Sequence, residues 1–251
     1  MSILNYVSSE SLASSIKNRT IDFIEIADLV NKGLIGSIPE TERASPLNKR
    51  FLIAFEGINC CGKSTQIARL RNYLDKNQLR NIYVRDSKNS CWGILSNCGK
   101  GTYLINNPLA DSYLWPTYFI DQYKNNLNAI GNSIAIFDRY KLSVEAIQKG
   151  VLSYNNIIMN DNQFFKDTLS KLPEPDMGIL IDVPTEVMAG RYKSRGGRCH
   201  LDTRDLEITD RIRKIFLDLA KERQYLVLDG KQPEELLFDE IIRYFEGGKL
   251  K

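Results

Sequence analysis

The chain has 251 residues, with 34 Lys plus Arg against 31 Asp plus Glu, one His and 43% hydrophobic residues. That length can bury a full core without disulfide staples, as one large domain or one domain with an appendage. The formal net charge of +3 excludes a nucleic-acid binder that relies on bulk positive field, and the lack of a long apolar run excludes a membrane span.

Residues 1–49 read as an N-terminal, mainly helical extension and linker. Ser9 to Asn18 fits a short helix. Asp22 to Lys32 fits a second, with Phe23, Ile26, Ala27 and Val30 at helical spacing. Gly33 and Gly36 end it, and Pro39 to Pro46 reads as linker. The segment lacks the basic start and apolar run of a secretory signal. It also lacks the Arg-rich, acid-poor composition of a transit peptide, so a cytoplasmic location is expected.

From Lys49 the rhythm changes. Phe51 to Phe55 is a short apolar run, expected as a strand buried on both faces. A glycine loop follows, then a helical pattern over Lys63 to Lys76. Asn81 to Arg85 is a second strand, and Ser112 to Ile130 is mostly helix with Pro116 in its first turns. Ser133 to Phe137 is a third strand, ending at Asp138. Lys141 to Lys149 and Gln163 to Lys171 read as helices, and Asp176 to Asp182 as a fourth strand. Pro184 is expected at the first position of a helix that runs to Ser194. Arg195 to Arg204 is a polar, Gly-bearing loop. Leu206 to Lys221 is helix, Tyr225 to Leu228 the last strand and Pro233 to Tyr244 the last helix.

Five strands alternating with helices imply an α/β fold with a parallel sheet covered on both faces. Ligands then sit at the carboxyl ends of the strands. The five cysteines are Cys60, Cys61, Cys91, Cys98 and Cys199, an odd number with one adjacent pair. That pattern suits neither a disulfide scaffold nor, with His200 as the sole histidine, a zinc site.

Gly57-Ile58-Asn59-Cys60-Cys61-Gly62-Lys63-Ser64-Thr65 matches G-x-x-x-x-G-K-[ST], placed between a buried strand and a helix as that motif requires. Backbone N–H groups from Asn59 to Thr65 can converge on a nucleotide β-phosphate at the helix N-terminus. Lys63 can reach the β- and γ-phosphates, Ser64 can hold Mg²⁺, and Thr65 lies near the α-phosphate. Cys60 and Cys61 read as small spacers within the loop.

A GTPase would need N-K-x-D and a D-x-x-G after a buried strand, and the chain has neither. A large motor would need more chain. Small-molecule kinases remain. Here a resemblance helps. Phe55-Glu56-Gly57 with Gly62-Lys63-Ser64-Thr65-Gln66 resembles the opening of the thymidylate kinase family. Asp138-Arg139-Tyr140 with Ser143, Ala146 and Gln148 is similar to its D-R-Y-x-x-S-x-x-A-x-Q segment. Pro175-Asp176, Leu180 to Pro184, Arg191 to Gly196, Arg211 to Arg213 and Leu217 to Ala220 resemble its later segments.

The resemblance covers residues 50 to 245. It implies a three-layer P-loop NTPase-type fold with a lid over about residues 195–207. It also implies transfer of the ATP γ-phosphoryl to a nucleoside monophosphate, most simply dTMP giving dTDP, with ATP and Mg²⁺ as cofactors and a homodimer as assembly. Asp138 is then a Mg²⁺ ligand, directly or through water. Arg139 and Arg85 approach the acceptor phosphate, and Asn59 its sugar. Gln148 falls within the same substrate-site motif, and Arg191 borders the ATP site. Because Cys60 occupies the loop position where some relatives carry an arginine, the lid should supply that cation. Arg195 and Arg198 lead, with Arg204 behind.

The acceptor side departs from the family pattern. Asn59 replaces a frequent aspartate. The segment around Leu114 to Tyr123 has aromatics but no arginine. Trp115 or Tyr118 can stack on a base or pack in the core, and Gln122 can read a base edge. Asp86 follows Arg85 where a deoxynucleoside kinase would place a carboxylate, so that activity and a catalytically degenerate nucleotide binder stay as alternatives.

Overall fold

A computed structural model describes residues 50–84, 116, 119, 120, 123, 131–157, 163–195 and 206–248. The expected helices and linker of residues 1–49 lie outside the described residues. So do Arg85, Asp86, Trp115, Tyr118, Gln122, Cys91, Cys98, the loop at 196–205 with Arg198, Cys199, His200 and Arg204, and most of the expected 112–130 helix.

The described elements run in chain order as strands interspersed with helices. They are β1 (Phe51–Glu56), α1 (Lys63–Lys76), β2 (Asn81–Val84), β3 (Ile134–Asp138), α2 (Lys141–Tyr154), α3 (Gln163–Ser170), β4 (Met177–Asp182), α4 (Thr185–Ser194), α5 (Leu206–Glu222), β5 (Leu226–Asp229) and α6 (Glu234–Gly248). Pro116, Phe119, Ile120 and Tyr123 are helical, as the 112–130 pattern predicts.

The strands form one parallel sheet in the order β2-β3-β1-β4-β5. The first strand is therefore the central one. Its side chains alternate between two cores, as the two-residue period of a strand demands. Phe51, Ile53 and Phe55 join Ile67, Leu70, Ile136, Ile179, Phe216 and Phe245 on one face. Leu52 and Ala54 join Phe137, Tyr140, Val144, Phe165 and Leu169 on the other. Burial on both sides explains why β1 reads as an unbroken apolar run.

The sequence places most boundaries within a residue or two. Two differences have physical causes. The second helix continues five residues past Lys149, to Tyr154, because Leu152 is buried and extends its apolar face. Pro184 caps α4 rather than occupying its first turn. Its ψ of 150° is extended, and its carbonyl accepts the Met188 amide at 3.1 Å.

Candidate active site

The site forms where β1 and β3 end side by side. Phe55 pairs with Asp138 across that boundary, so the glycine loop after β1 faces the Asp138-Arg139 pair at the end of β3. This is the crevice beyond the strand ends where parallel sheets bind ligands.

The loop needs glycine at both motif positions. Gly57 has φ +131°, and a Cβ there would lie 2.4 Å from the Ile181 carbonyl oxygen. Gly62 has φ +113° and caps α1. Both angles lie in the region that side-chain-bearing residues disfavour. The Gly62 carbonyl accepts the amides of Thr65 (3.1 Å) and Gln66 (3.2 Å), closing the first helical turn. The Thr65 amide, expected among the converging donors, is thus already engaged within the helix.

Lys63 is buried inside the loop and donates to the carbonyls of Gly57 (3.0 Å) and Ile58 (2.9 Å). Its Nζ lies 3.5 Å from the Cys61 sulfur. Burial, and then the nearby Arg139 charge, hold its pKa below the usual lysine range. Cys60 and Cys61 are both buried, in keeping with small spacers in the loop. The Cys60 backbone takes φ +57°.

The carboxylate of Asp138 accepts from Ser64 Oγ at 3.4 Å and from the Tyr83 hydroxyl at 3.0 Å. A hydroxyl and a carboxylate side by side are the hard oxygen donors that Mg²⁺ takes when it also keeps water and phosphate ligands. The residues present therefore fit that ion. Among the described residues no group of three or more His, Cys, Asp or Glu could hold a metal by itself.

Arg139 lies opposite the loop. Its guanidinium donates to the Gly57 carbonyl at 3.0 Å, to Ser143 Oγ at 3.2 Å and to Asn59 Oδ1. Asn59 and Arg139, both expected on the acceptor side, are thus in direct contact. Arg139 has φ +78°, an uncommon conformation for a residue with a side chain.

Arg191 reaches the back of the loop. It donates to the carbonyls of Cys60 (3.4 Å), Cys61 (3.1 Å) and Gly230 (2.7 Å). One side chain thereby ties α4, the loop and the turn after β5 together. Nearby, Arg213 clamps Asp182 with two 2.7 Å hydrogen bonds, fixing α5 to the end of β4. A concavity over the loop is lined by Cys60, Gly62, Lys63, Ser64, Thr65 and Arg195. Arg195 thus lines the same opening as the lysine. Gln148 is buried on α2, and its Oε1 has no hydrogen-bond partner among the described residues.

Sequence reasoning missed two contributors. Tyr83, on β2, holds the Asp138 carboxylate. Glu56, fully buried at the end of β1, accepts the amides of Tyr140 (3.0 Å), Leu142 (3.1 Å) and Ser143 (3.2 Å). It satisfies the N-terminus of α2, whose capping residue Tyr140 offers no side-chain cap. Burial pushes the Glu56 carboxyl up to about 7, against the opposing pull of Ser143, Arg139 and Lys63. A lone carboxylate ending an otherwise apolar strand was the available signal.

A glycine loop of this kind, opening the helix after the central strand of a parallel sheet, defines a P-loop NTPase-like α/β protein. Comparison with known proteins narrows the class. The family described as Thymidylate kinase matches residues 115–241. The thymidylate kinase of Carboxydothermus hydrogenoformans is 31% identical over 206 residues, covering 78% of this chain and 96% of the relative. Those of Kosmotoga olearia and Fervidobacterium nodosum are 25% and 27% identical, each over 78% of this chain and 95% and 98% of the relative. The chain belongs to the thymidylate kinase family, a group of nucleoside monophosphate kinases.

Proposed function

We propose that this protein transfers the γ-phosphoryl group of ATP to dTMP, giving dTDP and ADP, with Mg²⁺. The observation that carries the reading is the meeting of two separate segments. The phosphate loop with Lys63 and Ser64 faces Asp138 and Arg139 across adjoining strand ends. One segment suits the donor triphosphate and the other the acceptor phosphate.

An acceptor phosphate oxygen attacks the γ-phosphorus, and the bond to the bridging oxygen of ADP breaks. Such transfer depends on positioning and charge neutralisation. The amides of Asn59 to Ser64 and the Lys63 ammonium hold the β- and γ-phosphates. On arrival of the triphosphate, Lys63 exchanges its carbonyl partners for phosphate oxygens. Ser64 and Asp138 would hold Mg²⁺, which when bound neutralises phosphate charge. Arg139 holds the acceptor phosphate and Asn59 faces the acceptor sugar. Arg191 keeps the loop in its nucleotide-binding shape. Arg195, at the rim of the concavity, and Arg198 supply cations to the transferring group from the lid.

Arg85, Trp115, Tyr118, Gln122 and Gln148 complete the acceptor pocket in this reading. The buried Gln148 Oε1 suits an acceptor-side hydrogen bond. Residues 50–251 form the kinase domain and 1–49 an extension, in keeping with a first described strand at Phe51. A homodimer in the cytoplasm is proposed. Among the described residues, no helix is long and apolar enough to cross a membrane.

The test is a transfer assay with ATP, Mg²⁺ and a panel of nucleosides and monophosphates. Formation of dTDP from dTMP is expected. Turnover of thymidine with dTMP and dUMP inert would replace the reading with a nucleoside kinase. ATP binding with no turnover of any acceptor would replace it with a regulatory nucleotide binder.

A further inference from the structure

Glu56 and Ser143 make no contact that the proposed chemistry uses directly, yet they stand immediately behind Arg139. Ser143 Oγ accepts from Arg139 Nη1 at 3.2 Å and donates to Glu56 Oε2. The other Glu56 oxygen accepts the amides of Tyr140 and Leu142. The chain from carboxylate to hydroxyl to guanidinium is continuous. Glu56 is fully buried and Ser143 nearly so, so water does not compete for these bonds and their geometry is held firmly.

The backbone supports the same role. Arg139 adopts φ +78°, a conformation that persists in a side-chain-bearing residue only when its surroundings enforce it. The enforcing contacts flank it. The Arg139 amide donates to the Phe55 carbonyl at 2.9 Å, and Glu56, the next residue of β1, grips the amides of residues 140, 142 and 143. Without that grip the turn between β3 and α2 has an unsatisfied helix N-terminus and a strained residue.

We propose that Glu56 and Ser143 are positioning residues for Arg139: through the Ser143 hydroxyl and the turn amides, they aim its guanidinium at the acceptor phosphate. The proposal rests on the acceptor role given to Arg139 above. It adds a second duty to one strand end. The loop that begins at Gly57 serves the donor nucleotide through Lys63 and Ser64, and Glu56, one residue before it, serves the acceptor.

The test is equilibrium binding of dTMP and of ATP to the full-length enzyme at pH 8, with thermal unfolding recorded for each variant. Ser143→Ala removes only a hydroxyl. Glu56→Gln replaces a carboxylate oxygen by an amide nitrogen that cannot accept. Each is expected to weaken dTMP binding about tenfold, the size of one charge-assisted hydrogen bond, with ATP binding within about twofold of wild type. In an Arg139→Ala background, Ser143→Ala is expected to add no further loss, since its effect runs through the arginine. Equal losses for dTMP and ATP, or the same loss with and without Arg139, would mark Ser143 as merely structural and overturn the proposal. So would unchanged dTMP binding in a folded Ser143→Ala enzyme. A wild-type enzyme that binds ATP but not dTMP would instead overturn the functional reading beneath it.

Discussion

The Ser64 hydroxyl lies 3.4 Å from the Asp138 carboxylate, although 74 positions separate them in sequence. The parallel pairing of β1 with β3 brings them together, because Asp138 ends β3 in register with Phe55, near the end of β1, and Ser64 lies at the start of the helix that the loop after β1 opens. Two hard oxygen donors at one point predict a shared role toward Mg²⁺. Ser64→Ala and Asp138→Asn should each raise the Mg²⁺ concentration for half-maximal turnover about tenfold or more, with the fold intact by circular dichroism. An unchanged Mg²⁺ titration in both variants would remove the pair from the metal site.

Lys63 offers a sharper test of the donor side. Its ammonium is buried on loop carbonyls, poised for a stronger partner. Lys63→Ala should lower kcat by about a hundredfold or more, the scale seen when one transition-state charge donor is lost. Single-turnover measurements of phosphoryl transfer check this. Near-wild-type transfer would refute the loop mechanism.

Arg191 shapes the loop from behind. Losing its bonds to Cys60, Cys61 and Gly230 frees both the loop and the turn after β5. Arg191→Ala should therefore weaken ATP binding about tenfold while leaving dTMP binding within about twofold. Titration calorimetry with each nucleotide distinguishes this from general destabilisation, which would weaken both.

Glu56 gives the protein a pH signature. Its folded pKa is raised from 4.5 to about 7 by burial, so between those values the folded chain binds a proton that the unfolded chain has released. The stability tied to this group is present below pH 4.5 and is lost as pH rises through about 7. The loss is on the order of 3 kcal/mol. Urea unfolding across pH 4.5 to 8 should show this fall in the wild type and a flatter profile in Glu56→Gln. Parallel profiles would contradict a carboxyl that titrates near neutrality.

Much of this architecture is readable in the sequence because its causes are local. The two loop glycines announce themselves through the backbone angles they permit, and β1 and β4 through uninterrupted apolar runs. Asp138 and Arg139 are legible as polar residues ending a buried strand. What escapes is whatever depends on distant pairing. Glu56 meets Ser143 across 87 positions, and the bond of Arg191, a residue the resemblance already sets beside the ATP site, to the loop carbonyl of Cys61 spans 130. No periodicity reports either contact. Tyr83 looks like an ordinary strand aromatic until β2 pairs with β3 and its hydroxyl meets Asp138. The capping place of Pro184 turns on a single ψ angle, which composition does not encode.

The central claim is that Arg139 holds the phosphate of a monophosphate acceptor. The most direct measurement is kcat/KM for dTMP and for thymidine, with ATP and Mg²⁺ saturating, in the wild type and in Arg139→Ala. The account predicts turnover of dTMP and not thymidine by the wild type, and a loss of about a hundredfold or more on dTMP in the variant. Preference for thymidine, or unchanged dTMP kinetics in Arg139→Ala, would contradict it.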